Sequence, residues 1–221
     1  KPEGNQVYTM VDQNQLEIIK ELLEKSKKRK FNETIELAIN LKGVDLSQPK
    51  NRIEEEIILP HGRGKNIKIG VFAGGELAFK SKNVADLLIG PEEIETLSTD
   101  KRKLRKLANE YTFFLAEAPL MITIGKKLGV ILGPRGKMPK PVAPQADPTP
   151  IIQNLKKSVK VRTKDRPTFH IPVGTRDMPL EHISENIDTV LNRIISKLEK
   201  GTANIHTVYI KTSMSNAVRL M

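Results

Sequence analysis

Lysine and arginine are the chemistry-bearing residues of this sequence, and they cluster. Five of the six residues 25–30 are basic: Lys25, Lys27, Lys28, Arg29 and Lys30. Residues 156–166 carry six cations (Lys156, Lys157, Lys160, Arg162, Lys164 and Arg166) against a single acid, Asp165. Residues 125–144, GKKLGVILGPRGKMPKPVAP, hold Lys126, Lys127, Arg135, Lys137 and Lys140 with no acid at all. Clustered charge of one sign suits a phosphate backbone better than a small neutral substrate. In the last stretch Gly129, Gly133 and Gly136 permit unusual backbone angles, while four prolines stiffen the chain. A basic, stiffened loop anchored by the apolar run Val130, Ile131 and Leu132 is expected there. The group at 25–30 also has a plain structural role, because cations are stabilised at a helix C-terminus. Five cations exceed what capping requires.

Other chemistry finds little support. A phosphate-binding P-loop needs GxxxxGK followed by Ser or Thr. Gly136-Lys137 has Ile131 at the first glycine position and Met138 at the hydroxyl position. Gly62-Arg63-Gly64 follows an expected strand but has Ile67 in place of a third glycine. The four histidines (His61, His170, His182 and His206) lack metal-ligand spacing, and with no cysteine there is no thiolate or disulfide chemistry. No catalytic constellation, metal or cofactor is expected. His182 reads as an exposed or capping residue on a helix. His170 lies on the polar face of a strand beside basic residues, where it can stack on or bond to RNA.

The elements that must position these groups follow from periodicity. Formal net charge is +11, so an anionic partner is expected. Nucleic acid leads a membrane, because no apolar run approaches the roughly 20 residues that span a bilayer. No signal-peptide pattern is visible at the start, and a cytoplasmic location is expected. With aromatics at 4% and no tryptophan, a broad stacking platform is not expected. Asp12 is a plausible N-cap for a helix whose apolar stripe is Leu16, Ile19, Leu22 and Leu23. Residues 34–41 alternate strictly, with Ile35, Leu37, Ile39 and Leu41 on one face. Residues 53–59 form a second strand. Residues 67–73 form a near-continuous apolar run suited to a buried parallel strand. Helices and strands then alternate to about residue 128, as in a small open α/β sheet. Residues 168–173 and 207–213 alternate again, with Lys211 and Tyr209 outward. Between them Pro179 opens a long helix with Ile183, Ile187, Val190 and Ile194 inward, stopped near Gly201. The end segments carry too little apolar surface to fold separately. The expected architecture is therefore a split α+β domain, residues 1–65 and 157–221, interrupted by a Rossmann-like three-layer α/β domain, residues 66–156.

Five motifs in order, KRKFNETIEL, LPHGRGK, KKLGVILGPRGKMPKP, FHIPVGT and TSMSNAVRL, resemble the family of large ribosomal subunit protein 1, in its archaeal/eukaryotic form. The resemblance runs from about Met10 to the end. It implies a constituent of the large subunit at the mobile stalk near the tRNA exit site. It further implies binding of 23S-type rRNA through the split domain, assistance in releasing deacylated exit-site tRNA, and repression of the protein's own mRNA. It carries an RNA-contacting role onto Lys30, Phe31, Glu33 and Thr34, onto Thr168 and His170, and onto Thr212, Ser213, Met214 and Ser215. Lys28, Arg162, Lys164 and Lys211 join them as cations beside those segments. Where the family has Thr-Met-Gly, this chain has Ser213-Met214-Ser215, so a positive φ at Ser215 would cost about 1 kcal/mol or more. Two alternatives stand beside this reading: a nucleotide-using α/β enzyme, motivated by the middle segment, and a general polyanion binder.

Overall fold

The computed structural model describes residues 13–163 and 166–221. The N-cap expected at Asp12 and the candidate Lys164 lie outside the described residues. The strands, in chain order, are β1 (Thr34–Leu41), β2 (Glu54–Ile58), β3 (Ile69–Phe72), β4 (Leu87–Ile89), β5 (Phe113–Glu117), β6 (Lys140–Val142), β7 (Ser158–Arg162), β8 (Thr168–Thr175), β9 (Ile205–Thr212) and β10 (Val218–Arg219). The helices are α1 (Gln13–Lys25), α2 (Gly75–Ser81), α3 (Pro91–Thr99), α4 (Lys101–Glu110), α5 (Met121–Lys127), α6 (Gly129–Leu132), α7 (Thr149–Lys157) and α8 (Leu180–Lys197). The mixed α/β class expected from the sequence is the one observed. The chain divides into two compact units, one formed by residues up to Lys65 and from Lys157, the other by Asn66–Lys156.

In the first unit an antiparallel sheet has the order β10-β9-β1-β8. Strand β1 is central because its alternation places Ile35, Leu37 and Ile39 on one fully buried face. That face meets Ile171 and Val173 of β8, Val208 and Ile210 of β9, Ile19 and Leu22 of α1, and Ile183, Ile187, Val190 and Ile194 of α8 in one core. A separate two-stranded sheet, β2 with β7, adds Ile57, Val159 and Val161 to it. The opposite face of the large sheet follows from the register. Glu36 lies opposite Lys211, Ala38 opposite Tyr209 and His170, and Asn40 opposite Thr207 and Thr168.

The second unit is a parallel sheet of order β4-β3-β5-β6 with an apolar cluster on each face. One cluster takes helices α3 to α6, with Ile94, Leu97, Leu104, Ile124 and Leu132. The other takes Leu77 of α2 and Ile152 and Leu155 of α7. Three layers result, because parallel strands buried on both faces need helices on both. The Asp100 carboxylate accepts from Arg102 N and Lys103 N at 3.0 Å and starts α4 after a break at the end of α3.

The basic stretch 125–144 is a loop over residues 133–139, the part that follows the apolar anchor. It contains the end of α5, all of α6 and the edge strand β6. One of its cations is drawn inward. Lys137 Nζ donates to the carbonyls of Ala108 and Tyr111, at 2.6 and 2.8 Å, and so closes the C-terminus of α4. Burial, with Arg135 nearby, holds the Lys137 ammonium below the usual lysine value. Arg135 donates to Ile131 O at 3.2 Å, and Lys127 pairs with Glu95 at 2.5 Å. Lys137 is thus a packing device, while Lys126, Lys127, Arg135 and Lys140 stay exposed. Lys137→Met is expected to cost about 1–3 kcal/mol, the usual effect of stranding buried acceptors. Thermal unfolding of the variant checks this, and RNA affinity at a temperature where it is folded should be unchanged.

Candidate nucleic-acid interface

The site is built at one end of β1, where the chain leaves α1. Helix α1 stops at Lys25, which pairs with Glu21 one turn back. Residues 27–30 then run exposed to the start of β1. Lys28 and Lys30 are exposed, and Phe31 is 54% exposed, so it is no core residue. Glu33 is the opposite: a carboxylate only 1% exposed. A buried carboxylate needs several donors, and Glu33 has them. Thr212 Oγ1 donates to it at 3.2 Å, the Met214 amide at 3.3 Å and Arg176 Nη1 at 3.3 Å, while Arg29 Nε stands 3.6 Å away.

Arg176 is the residue the sequence reading missed. Its guanidinium closes α1 by donating to the carbonyls of Leu23 (2.9 Å), Ser26 (3.1 Å) and Lys27 (3.3 Å), while also holding Glu33. Its own amide donates to Glu33 O at 3.0 Å. One planar fork thereby ties the basic segment, β1 and the turn after β8 together. In the sequence it was a lone cation in a turn, with nothing near it to signal a partner.

The terminal motif is docked on the same strand end. Ser213 N donates to Thr34 O at 3.0 Å, and Thr34 N donates back to Ser213 Oγ at 3.3 Å. Thr34 Oγ1 also accepts from Lys65 Nζ at 2.6 Å. The strain anticipated at Ser215 is not found, for among the described residues no non-glycine residue has positive φ. Ser215 closes a tight turn instead: its hydroxyl accepts from Thr212 N at 2.9 Å, and its amide donates to Thr212 O at 3.3 Å. Thr212 is fully buried, whereas Met214 at the turn's tip is 59% exposed. Phe31 and Met214 are therefore two exposed apolar side chains on segments joined through Glu33.

The remaining candidates are spread out. Thr168 donates to Asn40 Oδ1 at 2.7 Å, six residues along β1 from Thr34, or roughly 20 Å at the usual rise per residue. His170 is exposed between the two ends, and Lys211 is half-buried opposite Glu36. Arg162 is on the other sheet, 3.8 Å from Glu54, with Lys160 at 3.2 Å from the same carboxylate. The charge run 156–166 is thus partly strand, with Val159 and Val161 inward and its alternate cations neutralised by β2. His182 is neither free nor capping: it stacks on His61 at 3.8 Å between ring centroids. Among the described residues no cluster of His, Cys, Asp or Glu could hold a metal ion, and no helix is long and apolar enough to cross a membrane.

The middle unit has the strand order of a nucleotide-binding fold, with its switch point between β3 and β5. At that point Gly74 N, the amide a phosphate would use, donates to Glu117 Oε2 at 3.0 Å. A carboxylate in that position repels an anion.

The sequence profile of the Ribosomal protein L1p/L10e family matches residues 22–216. The chain belongs to this family. It is similar to a large ribosomal subunit protein uL1 of Thermoplasma acidophilum, 55% identical over 202 residues, which covers 91% of this chain and 93% of the relative. The protein of the same name from Methanocella arvoryzae is 53% identical over 213 residues, covering 96% of this chain and all of the relative. That of Archaeoglobus fulgidus is 50% identical over 214 residues, with 96% and 100% covered. The matched span contains Arg176, Glu33 and the terminal Thr212–Ser213–Met214 segment. Family members of this kind are ribosomal proteins and not enzymes, so the nucleotide-using alternative falls away.

Proposed function

We propose that this protein is a constituent of the large ribosomal subunit that binds 23S-type rRNA at the mobile stalk, through the end and outer face of the β10-β9-β1-β8 sheet. In this reading it also assists release of deacylated tRNA from the exit site and represses translation of its own mRNA. The observation that carries the RNA reading is the Glu33–Arg176 hub. It fixes a basic segment (Lys28, Lys30), two exposed apolar side chains (Phe31, Met214) and the Ser213–Ser215 turn on one strand end. Cations supply affinity for phosphate, while uncharged groups on rigid turns read RNA shape and 2′-hydroxyls. Glu33 and Thr212, both buried, position the surface; Lys28, Lys30, Phe31, Thr34, His170, Thr168, Lys211, Ser213, Met214 and Ser215 face or flank it. Arg162 lies apart from it, on the β2-β7 sheet beside Glu54. Binding a mimic of the rRNA site in the mRNA would use the same surface, which makes repression and ribosome assembly compete for it.

The test is a transcript of the archaeal stalk rRNA against a scrambled transcript of equal length, at matched salt. The full chain should prefer the stalk transcript by orders of magnitude. Equal affinity would reduce it to a polyanion binder. A chain lacking residues 66–156, rejoined through a short Gly/Ser linker, should fold and retain most of that preference. Folded protein without it would move the site to the middle unit. Phe31→Ala should weaken binding to the stalk transcript by about 1–3 kcal/mol, the size of one lost base-stacking contact, with melting temperature essentially unchanged. A collapse in melting temperature with normal binding by the folded fraction would return Phe31 to a packing role.

A further inference from the structure

Arg63 stands apart from Arg176 and Arg193, two other arginines of the first unit. Arg176 donates to three carbonyls and a carboxylate, and Arg193 grips Glu55 with two bonds of 2.9 Å. Arg63 makes none among the described residues, and its Nε is buried without a partner. Native folds rarely leave a buried donor of a charged group unsatisfied, and such groups call for an explanation. The segment carrying it is not loose. The His61 amide donates to Asn186 Oδ1 at 3.3 Å, and Asn186 Nδ2 donates to Gly62 O at 2.9 Å. Gly64, at φ +69°, packs against Thr175 and Met178, and Lys65 Nζ donates to Thr34 Oγ1 at 2.6 Å. Anchored on both sides, the guanidinium is held with its donors unused near Glu36 of β1, whose register partner is Lys211. Burial holds it below the ordinary arginine value, and the Glu36 carboxylate opposes this.

We infer that Arg63 is a phosphate-binding residue of the RNA surface, its unpartnered guanidinium receiving a backbone phosphodiester that runs along the 61–65 segment beside the β1 end bearing Thr34. This rests on the RNA reading above. A guanidinium matches two phosphate oxygens with two parallel donors, which an ammonium cannot do. Lys65, fixed over Thr34, adds positive charge beside it, and Lys211 adds charge on the sheet face.

The test uses the full chain with the stalk transcript and its scrambled control, titrated over salt, with Arg63→Met, Arg63→Lys and, as an exposed control cation, Lys50→Met. Arg63→Met is expected to lower affinity and to flatten the log–log salt slope by about 0.7–0.9, the value for one phosphate contact, with no fall in melting temperature. Arg63→Lys should keep the wild-type slope and recover only part of the affinity. Lys50→Met should leave both unchanged. Wild-type slope and affinity in Arg63→Met overturn the inference, as does full recovery by lysine, which would reduce the site to a diffuse charge. If Arg63→Met fails to fold, the Arg63 Nε–H resonance of the wild-type chain decides: it should shift on adding stalk transcript, and an unmoved resonance overturns the inference. Failure of the wild-type chain to prefer the stalk transcript removes the RNA reading itself, whatever Arg63 does.

Discussion

Glu33→Ala is expected to cost the first unit about 3–5 kcal/mol, the usual effect of removing one partner from a buried ion pair. The carboxylate is 1% exposed and takes donors from Thr212, Met214 and Arg176, with Arg29 nearby. Removing it leaves the Thr212 hydroxyl and the Met214 amide without their acceptor and the Arg176 fork without its counter-charge. At about 2–4 °C per kcal/mol for a chain of this size, melting should fall by roughly 10 °C. Glu33→Gln, which keeps the shape and one acceptor oxygen, should lose less. RNA affinity should fall in both variants even where they are folded, because the terminal turn and the basic segment lose their common anchor. A loss under about 1 kcal/mol in Glu33→Ala would mean that Arg176, still closing α1 through three carbonyls, holds the site alone. Arg176→Met would then be the damaging change.

Periodicity made the framework legible. The strict alternation of β1, the inward stripe of α8 and the apolar run at β3 each name their element, because burial on one face or two leaves a repeating trace in the sequence. What stayed hidden depends on contacts across the chain. Arg176 and Glu33 are 143 positions apart, and neither carries a local sign of the other. Within 125–144 the loop at 133–139 was legible and strand β6 was not. Glycine and proline mark breaks only on average: Gly129 opens α6, Gly133 ends it, and Pro141 is tolerated in β6 because that strand is an edge of its sheet. The charge run 156–166 hid β7, although Val159 and Val161 alternate with Lys160 and Arg162 in the way a strand requires. Strand β10, of two residues, is too short to leave a pattern. Among the candidate residues charge was readable; burial was not, and Glu33, Thr34 and Thr212 are the buried ones.

Gly64→Ala is expected to be the second most damaging single change, and Gly62→Ala its built-in control. Both glycines have positive φ, +69° and +66°, where an L side chain costs about 1–2 kcal/mol. They differ in what a methyl group would meet. At Gly62 the nearest atoms are 3.8 Å away, on Lys157, which is ordinary contact. At Gly64 the methyl would overlap Thr175 Oγ1 and stand 2.6 Å from Met178 Sδ. Met178 is flexible at its tip, but Thr175 is buried in β8 opposite Thr34 and has little room to move. Overpacking of this kind adds about 1–3 kcal/mol, so Gly64→Ala should cost about 2–5 kcal/mol against about 1–2 for Gly62→Ala. The functional consequence follows from the geometry. If the 61–65 segment lifts to relieve the overlap, Lys65 leaves Thr34, and the β1 end loses a cation it holds at 2.6 Å. Gly64→Ala should then weaken binding to the stalk transcript while Gly62→Ala leaves it near wild type. Equal losses of stability in the two variants would show that backbone strain alone governs the segment and that its packing against Thr175 contributes nothing.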